Sequence, residues 1–318
     1  MTDTITITTA PCCWGVDDVK NPHLPAWESV LDDTVEAGFG GLELGPYGYL
    51  PLDLPRVSAA LEARGLRIVA GTIFDDLVAP GNRDNLLHQT REICALITQL
   101  PAPARYPGQT FAAPYLTVMD WGHDERDYAA GHGDRAPRLD DAAWAGMVAN
   151  ITAIATVARD EFGVRAVIHP HAGGYIEFAD EIERIVADVP PDVAGLCIDT
   201  GHTVFSGMDA IETLDRYWDR IDYIHFKDID PVVFGEVMSE RIRFFDACAK
   251  GVMCPIGKGC IDYPAIHNFL RERGYCGYIT IEQERDPRNA DGVLADLRSS
   301  RSFLAKVGFG VEVREFGA

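Results

Sequence analysis

Residues 193–202 read VAGLCIDTGH, a continuous apolar run that ends in an aspartate and a histidine. A short apolar run of this kind predicts a strand that is covered on both faces, as in a parallel sheet. The same design recurs three times, at residues 164–171 (VRAVIHPH), 221–227 (IDYIHFK) and 278–284 (YITIEQE). Each run ends in side chains that bind metals or transfer protons. The strand ends therefore predict one functional edge of the molecule.

Strand-like and helix-like patterns alternate along the whole chain, which we interpret as a single α/β domain over residues 1–318. The predicted strands are residues 4–9, 41–44, 66–73, 115–119, 164–168, 193–198, 221–226 and 278–281. The predicted helices are residues 26–37, 54–64, 85–100, 140–159, 177–187, 210–218, 234–249, 265–273 and 291–307. This alternation predicts parallel pairing. Eight strands with polar C-terminal ends favour a (β/α)8 TIM barrel over a doubly wound open sheet, and no Gly-x-Gly-x-x-Gly turn follows the first strand.

Charge and cysteine content narrow the class of function. The formal charge of −21 disfavours nucleic acid and membrane surfaces as partners and favours a small-molecule substrate, although the acidity could serve solubility alone. Eight cysteines without a Cys-x-x-Cys pair predict reduced thiols in a cytoplasmic protein. Residues 1–10 do not read as a secretion signal, and no apolar run approaches the roughly 20 residues of a membrane span. The sequence leaves formation of a homo-oligomer open.

Four strand-end residues are candidates for one divalent metal site: His169, Asp199, His225 and Glu282. Two imidazoles and two carboxylates fit Mn²⁺, Co²⁺, Zn²⁺ or Fe²⁺ better than Ca²⁺, and the ligand types do not choose among these ions. We expect Mn²⁺ or Co²⁺, with Zn²⁺, Fe²⁺ or Mg²⁺ as alternatives. Each residue also has a purely structural interpretation. A histidine could be hydrogen-bonded in the core, Asp199 could cap the next helix, and Glu282 could pair with Arg285. Agreement on four consecutive strands favours the metal site.

A second set of strand-end residues predicts proton transfer: His171, His202, Lys227 and Glu284. A carbonyl and a neighbouring hydroxyl chelated by the ion would have an acidified α-proton. A histidine or a glutamate could remove that proton to give a metal-bound enediolate, and a second group could then protonate another atom or a leaving group. Lys227 could instead anchor the substrate or pair with Asp228.

Two residues outside these strands are candidates for substrate binding. Glu43 ends the second strand and could hold a substrate hydroxyl, and Trp14 follows the first strand and could form an apolar wall or pack in the core. The segment 121–137 follows strand four and contains His123 and His132. It could cover the mouth as a lid or be a plain surface insertion.

At these residues the chain resembles the xylose isomerase-like barrel superfamily of sugar isomerases, epimerases and dehydratases, whose members typically bind metal with Glu, Asp, His and Glu at the ends of strands five to eight. Asp199, His225 and Glu282 match three of them, and His169 stands where many members have Glu. The nearest likeness is to the inosose (2-keto-myo-inositol) dehydratases. It is carried by residues 10–15 (APCCWG), 41–45 (GLELG), 169–173 (HPHAG), 199–202 (DTGH), 225–228 (HFKD), 255–262 (PIGKGCID) and 282–287 (EQERDP).

This resemblance implies a metal-dependent lyase that dehydrates a cyclic keto-polyol such as 2-keto-myo-inositol. The same site could isomerise or epimerise a keto-sugar, or eliminate a group from an oxidised glycoside. The chain departs from the dehydratase pattern at Gly173-Gly174 and at Gln283 and Arg285. Strands three and four supply no strand-end histidine, which argues against a multi-metal DNA-repair site. A non-catalytic sugar-binding subunit is the rival outside enzymes.

Overall fold

Short apolar segments form the wall of a closed parallel barrel in the computed structural model, which describes residues 5–310. The hydrogen-bonded order is β3-β2-β1-β11-β8-β7-β6-β5-β4, and every pair in it is parallel. These strands are β1 (Ile5–Thr9), β2 (Gly41–Leu42), β3 (Arg67–Ile68), β4 (Ala70–Asp75), β5 (Tyr115–Asp120), β6 (Arg165–Ile168), β7 (Gly195–Asp199), β8 (Ile221–Phe226) and β11 (Gly277–Ile281).

The ring closes because β3 and β4 are two pieces of one strand position, on either side of Val69. The Val69 N–H donates to the carbonyl of Leu42, and the Val69 carbonyl accepts from the N–H of Tyr115, both at 3.0 Å. Eight strand positions therefore surround the axis, which confirms the predicted (β/α)8 barrel. Residue 4 of the predicted first strand lies outside the described residues.

Helices cover the outside of the barrel. They are α1 (Trp27–Glu36), α2 (Leu54–Arg64), α3 (Arg83–Ile97), α4 (Asp124–Asp127), α5 (Asp141–Phe162), α6 (Ala179–Asp188), α7 (Thr200–Phe205), α8 (Ala210–Arg216), α9 (Pro231–Glu240), α10 (Phe244–Ala249), α11 (Tyr263–Arg273) and α12 (Val293–Val307). Among the described residues, α5 alone is long and apolar enough to span a membrane. Met147, Ile151 and Ile154 are among the apolar residues of α5 that are buried in the protein core.

Several local features differ from the predicted elements; α4 and α7, for example, were not predicted. The predicted helix at residues 234–249 is two helices, α9 and α10, because Arg241 adopts a left-handed conformation (φ 59°) that ends α9. A short antiparallel pair, β9 (Asp228–Ile229) with β10 (Met253–Cys254), was not predicted. Its strands are only two residues long, too short to show a period in the sequence.

The barrel register sets the depth of the strand-end side chains. Asp199 and His225 are direct partners across β7 and β8. Ile281 is level with Phe226, so Glu282 begins one step nearer the mouth, where its N–H donates to the Phe226 carbonyl at 3.0 Å. Parallel strands therefore deliver these polar residues to one end of the barrel.

Candidate active site

The four predicted metal ligands converge at the C-terminal mouth of the barrel. One donor atom from each of His169, Asp199, His225 and Glu282 lies within 4.8 Å of the others, and all four residues are buried. Nε2 of His169 is 3.7 Å from Oδ2 of Asp199, and Nδ1 of His225 is 3.1 Å from Oε2 of Glu282. Separations of this size fit donors arranged around one ion with bonds of about 2.0–2.2 Å.

The hydrogen-bonding of the two imidazoles supports the same interpretation. Both ring nitrogens of His169 and Nδ1 of His225 are buried without a hydrogen-bond partner, and the contact between His225 and Glu282 lacks hydrogen-bond geometry. A buried polar atom left unpaired costs about 1–3 kcal/mol, so native proteins seldom keep several together. A divalent cation would satisfy these nitrogens, and the mixed nitrogen and oxygen donors fit such an ion.

Glu43 lies behind His225 and orients its ring. Oε1 of Glu43 accepts hydrogen bonds from Nε2 of His225 at 2.8 Å and from the Tyr223 hydroxyl at 2.7 Å. In the neutral imidazole this bond holds the hydrogen on Nε2 and leaves the lone pair of Nδ1 for the metal position. Burial disfavours the imidazolium, but the neighbouring Cys197, Glu282 and Glu43 outweigh it and raise the pKa of His225 well above its usual range. The predicted contact between Glu43 and a substrate hydroxyl stays a prediction. Glu43 also lines the cavity described below, so its position permits that contact.

Lys227 is fully buried among three carboxylates. Its Nζ lies 2.8 Å from Oδ2 of Asp199, 2.5 Å from Oε2 of Glu282 and 2.8 Å from Oε1 of Glu284. Burial disfavours the ammonium, but these carboxylates outweigh it and raise the pKa of Lys227 well above its usual range. One monovalent cation facing three carboxylates leaves room for further positive charge at this site.

Two alternative ion pairs considered from the sequence are wrong. Asp228 does not pair with Lys227, because its carboxylate accepts the backbone N–H groups of Gly257, Gly259 and Ile261. Glu282 does not pair with Arg285, which contacts Asp296 at 3.1 Å. The interpretation of Asp199 as a helix cap holds alongside its place at the metal position, since Oδ1 of Asp199 accepts the N–H of His202 at the start of α7.

His171, His202 and Glu284 form a second cluster on the mouth side of the ligands. Their nearest donor atoms lie within 4.8 Å of one another, and the two imidazole rings are 4.0 Å apart. Burial lowers the pKa of both histidines well below the usual range, and neighbouring cationic groups lower it further. Burial raises the pKa of Glu284, against the effect of Lys227. Both imidazoles are therefore neutral near pH 7.

A cavity of about 450 Å³ opens beside these groups. His171, Glu282 and Glu284 line its polar side, whereas His202 does not reach it. The apolar side is formed by Phe74, Phe245 and neighbouring side chains, and Trp121 continues it towards solvent. The ring centroids of Phe74 and Trp121 are 5.2 Å apart in a stacked arrangement. The cavity therefore joins a charged floor to an aromatic wall.

Of the two places that the sequence allows for Trp14, the structure shows core packing and not the cavity wall. Its indole is buried in the main hydrophobic core, and its Nε1 donates to Oδ2 of Asp33 on α1 at 3.0 Å. A 3₁₀ turn at Pro11–Trp14 follows β1 and directs Trp14 away from the mouth. The same turn brings Asp17, which the sequence analysis missed, to the cavity. Burial, with the nearby charges of Glu284 and Glu282, raises the pKa of Asp17 well above its usual range.

The segment 121–137 is fixed against the barrel mouth by Arg126, whose side chain is fully buried. Arg126 donates to both carboxylate oxygens of Glu181, at 2.7 and 2.9 Å, and lies 3.4 Å from Glu177. Trp121 at the start of the segment contacts His171 edge to face, with ring centroids 5.5 Å apart. The segment therefore forms part of the wall on the His171 side. His123 pairs with Asp120 at 3.0 Å and lies outside the main ligand cluster.

Comparison with known proteins agrees with this fold. Residues 31–304 match the model of the xylose isomerase-like TIM barrel family. The inosose dehydratase of Geobacillus kaustophilus is 31% identical over 291 residues, which cover 87% of each chain. Two solved structures share the fold, each with a TM-score of 0.68. They are an IolI protein with a bound zinc atom (14% identity, 95% of this chain and 97% of that one) and the probable 3-DHS dehydratase AsbF of Bacillus anthracis (12%, 94% and 98%).

Proposed function

The chain belongs to the xylose isomerase-like TIM barrel family, and on that premise we propose that it is a metal-dependent lyase that dehydrates a cyclic keto-polyol such as 2-keto-myo-inositol. One observation carries the proposal. Four strand-end residues each place a donor atom around a single position, and this position lies beside a cavity that His171 lines. Three imidazole nitrogens of these residues have no hydrogen-bond partner. The inosose dehydratase relative, similar over most of its length, favours a keto-polyol among the substrates that such a site could accept.

The proposed metal ligands are His169, Asp199, His225 and Glu282, and Mn²⁺ or Co²⁺ is the proposed ion. When bound, a divalent ion polarises a substrate carbonyl and its neighbouring hydroxyl, which acidifies the hydrogen on the adjacent carbon. The zinc-bound IolI structure supports a divalent metal in this fold without choosing the element. Glu43 keeps the Nδ1 lone pair of His225 available for that ion.

The remaining polar groups of the cavity would move protons. His171 is neutral and lines the cavity, so one of its ring nitrogens can accept the α-hydrogen as a proton. The electron pair of the broken C–H bond then forms the new C=C bond, while the C–O bond to a β-hydroxyl breaks. That hydroxyl leaves as water after it takes a proton, and Glu284, with Lys227 at 2.8 Å, lies on the cavity floor to supply it.

The same groups would also serve isomerisation or epimerisation of a keto-sugar, or elimination from an oxidised glycoside, because each begins with removal of an α-hydrogen. Protonation of carbon in place of the leaving oxygen would give an isomer or an epimer. The cavity holds more than one protonatable group, since Asp17 and Glu284 line it together with His171. For this reason the substrate and the fate of the α-carbon have to be measured together.

A screen of keto-inositols and keto-sugars with added Mn²⁺, followed by NMR in D₂O, tests the proposal. We expect deuterium at the carbon next to the ketone and loss of water from a keto-inositol, both abolished by chelation and restored by Mn²⁺ or Co²⁺. Deuterium exchange with a new isomer and no water loss would favour the isomerase alternative. Ligand binding without exchange or product, at full metal occupancy, would contradict an enzyme of this type.

We propose further that the protein acts in the cytoplasm on this small-molecule substrate, with neither nucleic acid nor membrane as a partner. The eight cysteines are all free thiols, as expected in a reducing compartment. The charge of −21 opposes association with phosphate backbones and anionic lipid. Fractionation of cells followed by immunoblotting would test the location, and a membrane-bound pool would contradict it.

A further inference from the structure

The backbone of Ala172 lies between the two imidazoles of the second cluster and contacts both. Its carbonyl oxygen is 2.9 Å from Nδ1 of His171, and its N–H donates to Nδ1 of His202 at 3.1 Å. A carbonyl oxygen only accepts hydrogen bonds, whereas a backbone N–H only donates them. His171 must therefore carry a hydrogen on Nδ1, and His202 must present a bare Nδ1.

An imidazole with one bare nitrogen is neutral and carries its hydrogen on the other nitrogen, so Nε2 of His202 carries a hydrogen and can donate it. In the neutral form of His171, the hydrogen on Nδ1 leaves Nε2 bare and able to accept a proton. The rings of His171 and His202, whose centroids are 4.0 Å apart, therefore take opposite roles because both contact the backbone of Ala172.

We propose that the Ala172 backbone assigns His171 as the proton acceptor of the reaction and gives His202 a hydrogen on Nε2 that faces Glu284, with Glu177 as the residue that holds this backbone in position. This inference rests on the proposed function for the reaction itself. The placement of the rings agrees with it. His171 lines the cavity, while His202 lies behind the wall, and its Nε2 has no hydrogen-bond partner and faces Oε1 of Glu284 at 3.8 Å, beyond hydrogen-bond distance.

Glu177 joins the three segments on which the arrangement depends. Its Oε2 accepts the N–H of Gly173 at 2.9 Å, directly after Ala172. Its Oε1 accepts from Ser206, which ends the helix that carries His202, at 3.2 Å, and from the N–H of Gly131 in the segment 121–137 at 2.7 Å. One buried carboxylate therefore fixes the loop of His171, the helix of His202 and the wall beside them.

Close packing around the Ala172 backbone leaves it little freedom to turn over. A Cβ atom on Gly174 would lie 2.4 Å from the carbonyl oxygen of Asp120, and one on Gly173 would lie 2.8 Å from the Trp121 ring. Gly173 also has φ of +89°, a conformation that side chains disfavour. These contacts account for the Gly173-Gly174 pair at a position where the dehydratase pattern differs.

The tautomers can be observed directly, without substrate. In ¹⁵N-histidine-labelled protein loaded with diamagnetic Zn²⁺, long-range ¹H–¹⁵N NMR should show His171 protonated on Nδ1 and His202 protonated on Nε2, with assignments from His171→Gln and His202→Gln. The same tautomer in both rings, or a doubly protonated His171, would overturn the inference. Opposite tautomers in a protein that acts on no keto-polyol would refute the proposed function and leave the tautomer assignment standing.

Hydrogen exchange separates the two histidines in the reaction. We expect His171→Gln to lose deuterium incorporation at the α-carbon in D₂O, and His202→Gln to keep it while product formation slows. Loss of exchange in His202→Gln with exchange retained in His171→Gln would reverse the assignment and overturn it.

Glu177→Gln tests the positioning residue, because an amide cannot accept through both ends of its side chain. We expect a mixed population of tautomers at His171 and His202 and a fall in kcat of roughly tenfold with little change in KM. The matched control is Glu183→Gln on α6, the helix that follows Glu177, which removes an exposed partner of Arg216 and should change neither quantity. Single, unchanged tautomers in a folded Glu177→Gln protein would remove Glu177 from the proposal. Should that variant not fold, the spectrum of the unmodified protein still decides the tautomers.

Discussion

The two ends of the barrel both contain buried charges beside a cavity, yet they differ in how those charges are satisfied. At the N-terminal end, Nε of Arg165 pairs with Asp222 at 2.7 Å and its Nη2 donates to the Pro191 carbonyl at 2.6 Å. Arg220 there donates to three backbone carbonyls, and of its side-chain nitrogens only Nε lacks a partner. At the C-terminal mouth, His169 has no hydrogen-bond partner for either ring nitrogen. The first arrangement pairs its charges within the protein, whereas the second leaves several imidazole nitrogens unpaired, as suits a site that binds a ligand.

Cavity size does not distinguish the two ends. The space at the N-terminal end is about 560 Å³, and the mouth has a space of about 450 Å³ with an adjoining one of about 660 Å³ beside Trp121. None of the groups of potential metal ligands found among residues 5–310 includes a residue that lines the N-terminal space. Unpaired donor atoms therefore distinguish a functional end from a structural one better than volume does.

The largest expected effect is at the mouth. Glu282→Gln should lower metal content and reduce turnover by roughly 10²–10³-fold, because Lewis-acid stabilisation of several kcal/mol is lost and about 1.4 kcal/mol corresponds to a factor of ten. Metal analysis, steady-state rates and circular dichroism on the same sample would check it. Full metal occupancy with normal turnover would remove Glu282 from the site and erase the contrast between the two ends.

The opposite outcome is expected at the N-terminal end. Asp222→Asn should leave metal content and kcat unchanged but lower the free energy of unfolding by about 3 kcal/mol, because Arg165 would keep a buried charge without its partner. Denaturant unfolding measures this, with exposed Asp219→Asn as the control at the same end. A loss of stability no greater than that of the control would show that the pair is not structural.

A smaller effect is expected behind the metal ligands. Glu43→Gln should weaken metal affinity by about 10- to 100-fold, because the amide orients the His225 imidazole less firmly than the carboxylate does. Titration calorimetry with Mn²⁺ would measure it. Tyr223→Phe removes the other hydrogen bond to the same oxygen and leaves that of His225, so it should weaken binding less. Equal losses in the two variants would indicate general disruption of packing.

The smallest effect is expected for Trp14→Phe. The variant loses the hydrogen bond to Asp33 and part of a core side chain, which should lower the free energy of unfolding by about 1 kcal/mol and leave KM unchanged. Phe74→Ala, which shortens the cavity wall, should raise KM. Substrate titrations of both variants give the comparison. A raised KM in Trp14→Phe alone would restore Trp14 to the substrate site.

Much of the site could be predicted because its residues follow directly from buried strands. Asp199 and His225 each end an apolar run, and the side chains of such strands meet at one mouth once eight strands close into a barrel. The same reasoning could not decide the position of Trp14. It follows β1, but the 3₁₀ turn between them changes its direction, and a turn of this length has no period in the sequence. The aromatic wall instead comes from Phe74, Trp121 and Phe245.

The sequence by itself determined the order of strands and helices and which polar side chains stand at the strand ends, since these depend on patterns among near neighbours. Only the tertiary structure decided their partners. Glu43 reaches His225 from 182 positions away, and Lys227 reaches Asp199 and Glu282 from other strands. The Lys227 contacts join neighbouring strands, since β8 lies between β7 and β11, whereas the curvature of the barrel brings Glu43, at the end of β2, to His225 on β8. No local period in the chain records which strands will be neighbours or which side chains will meet.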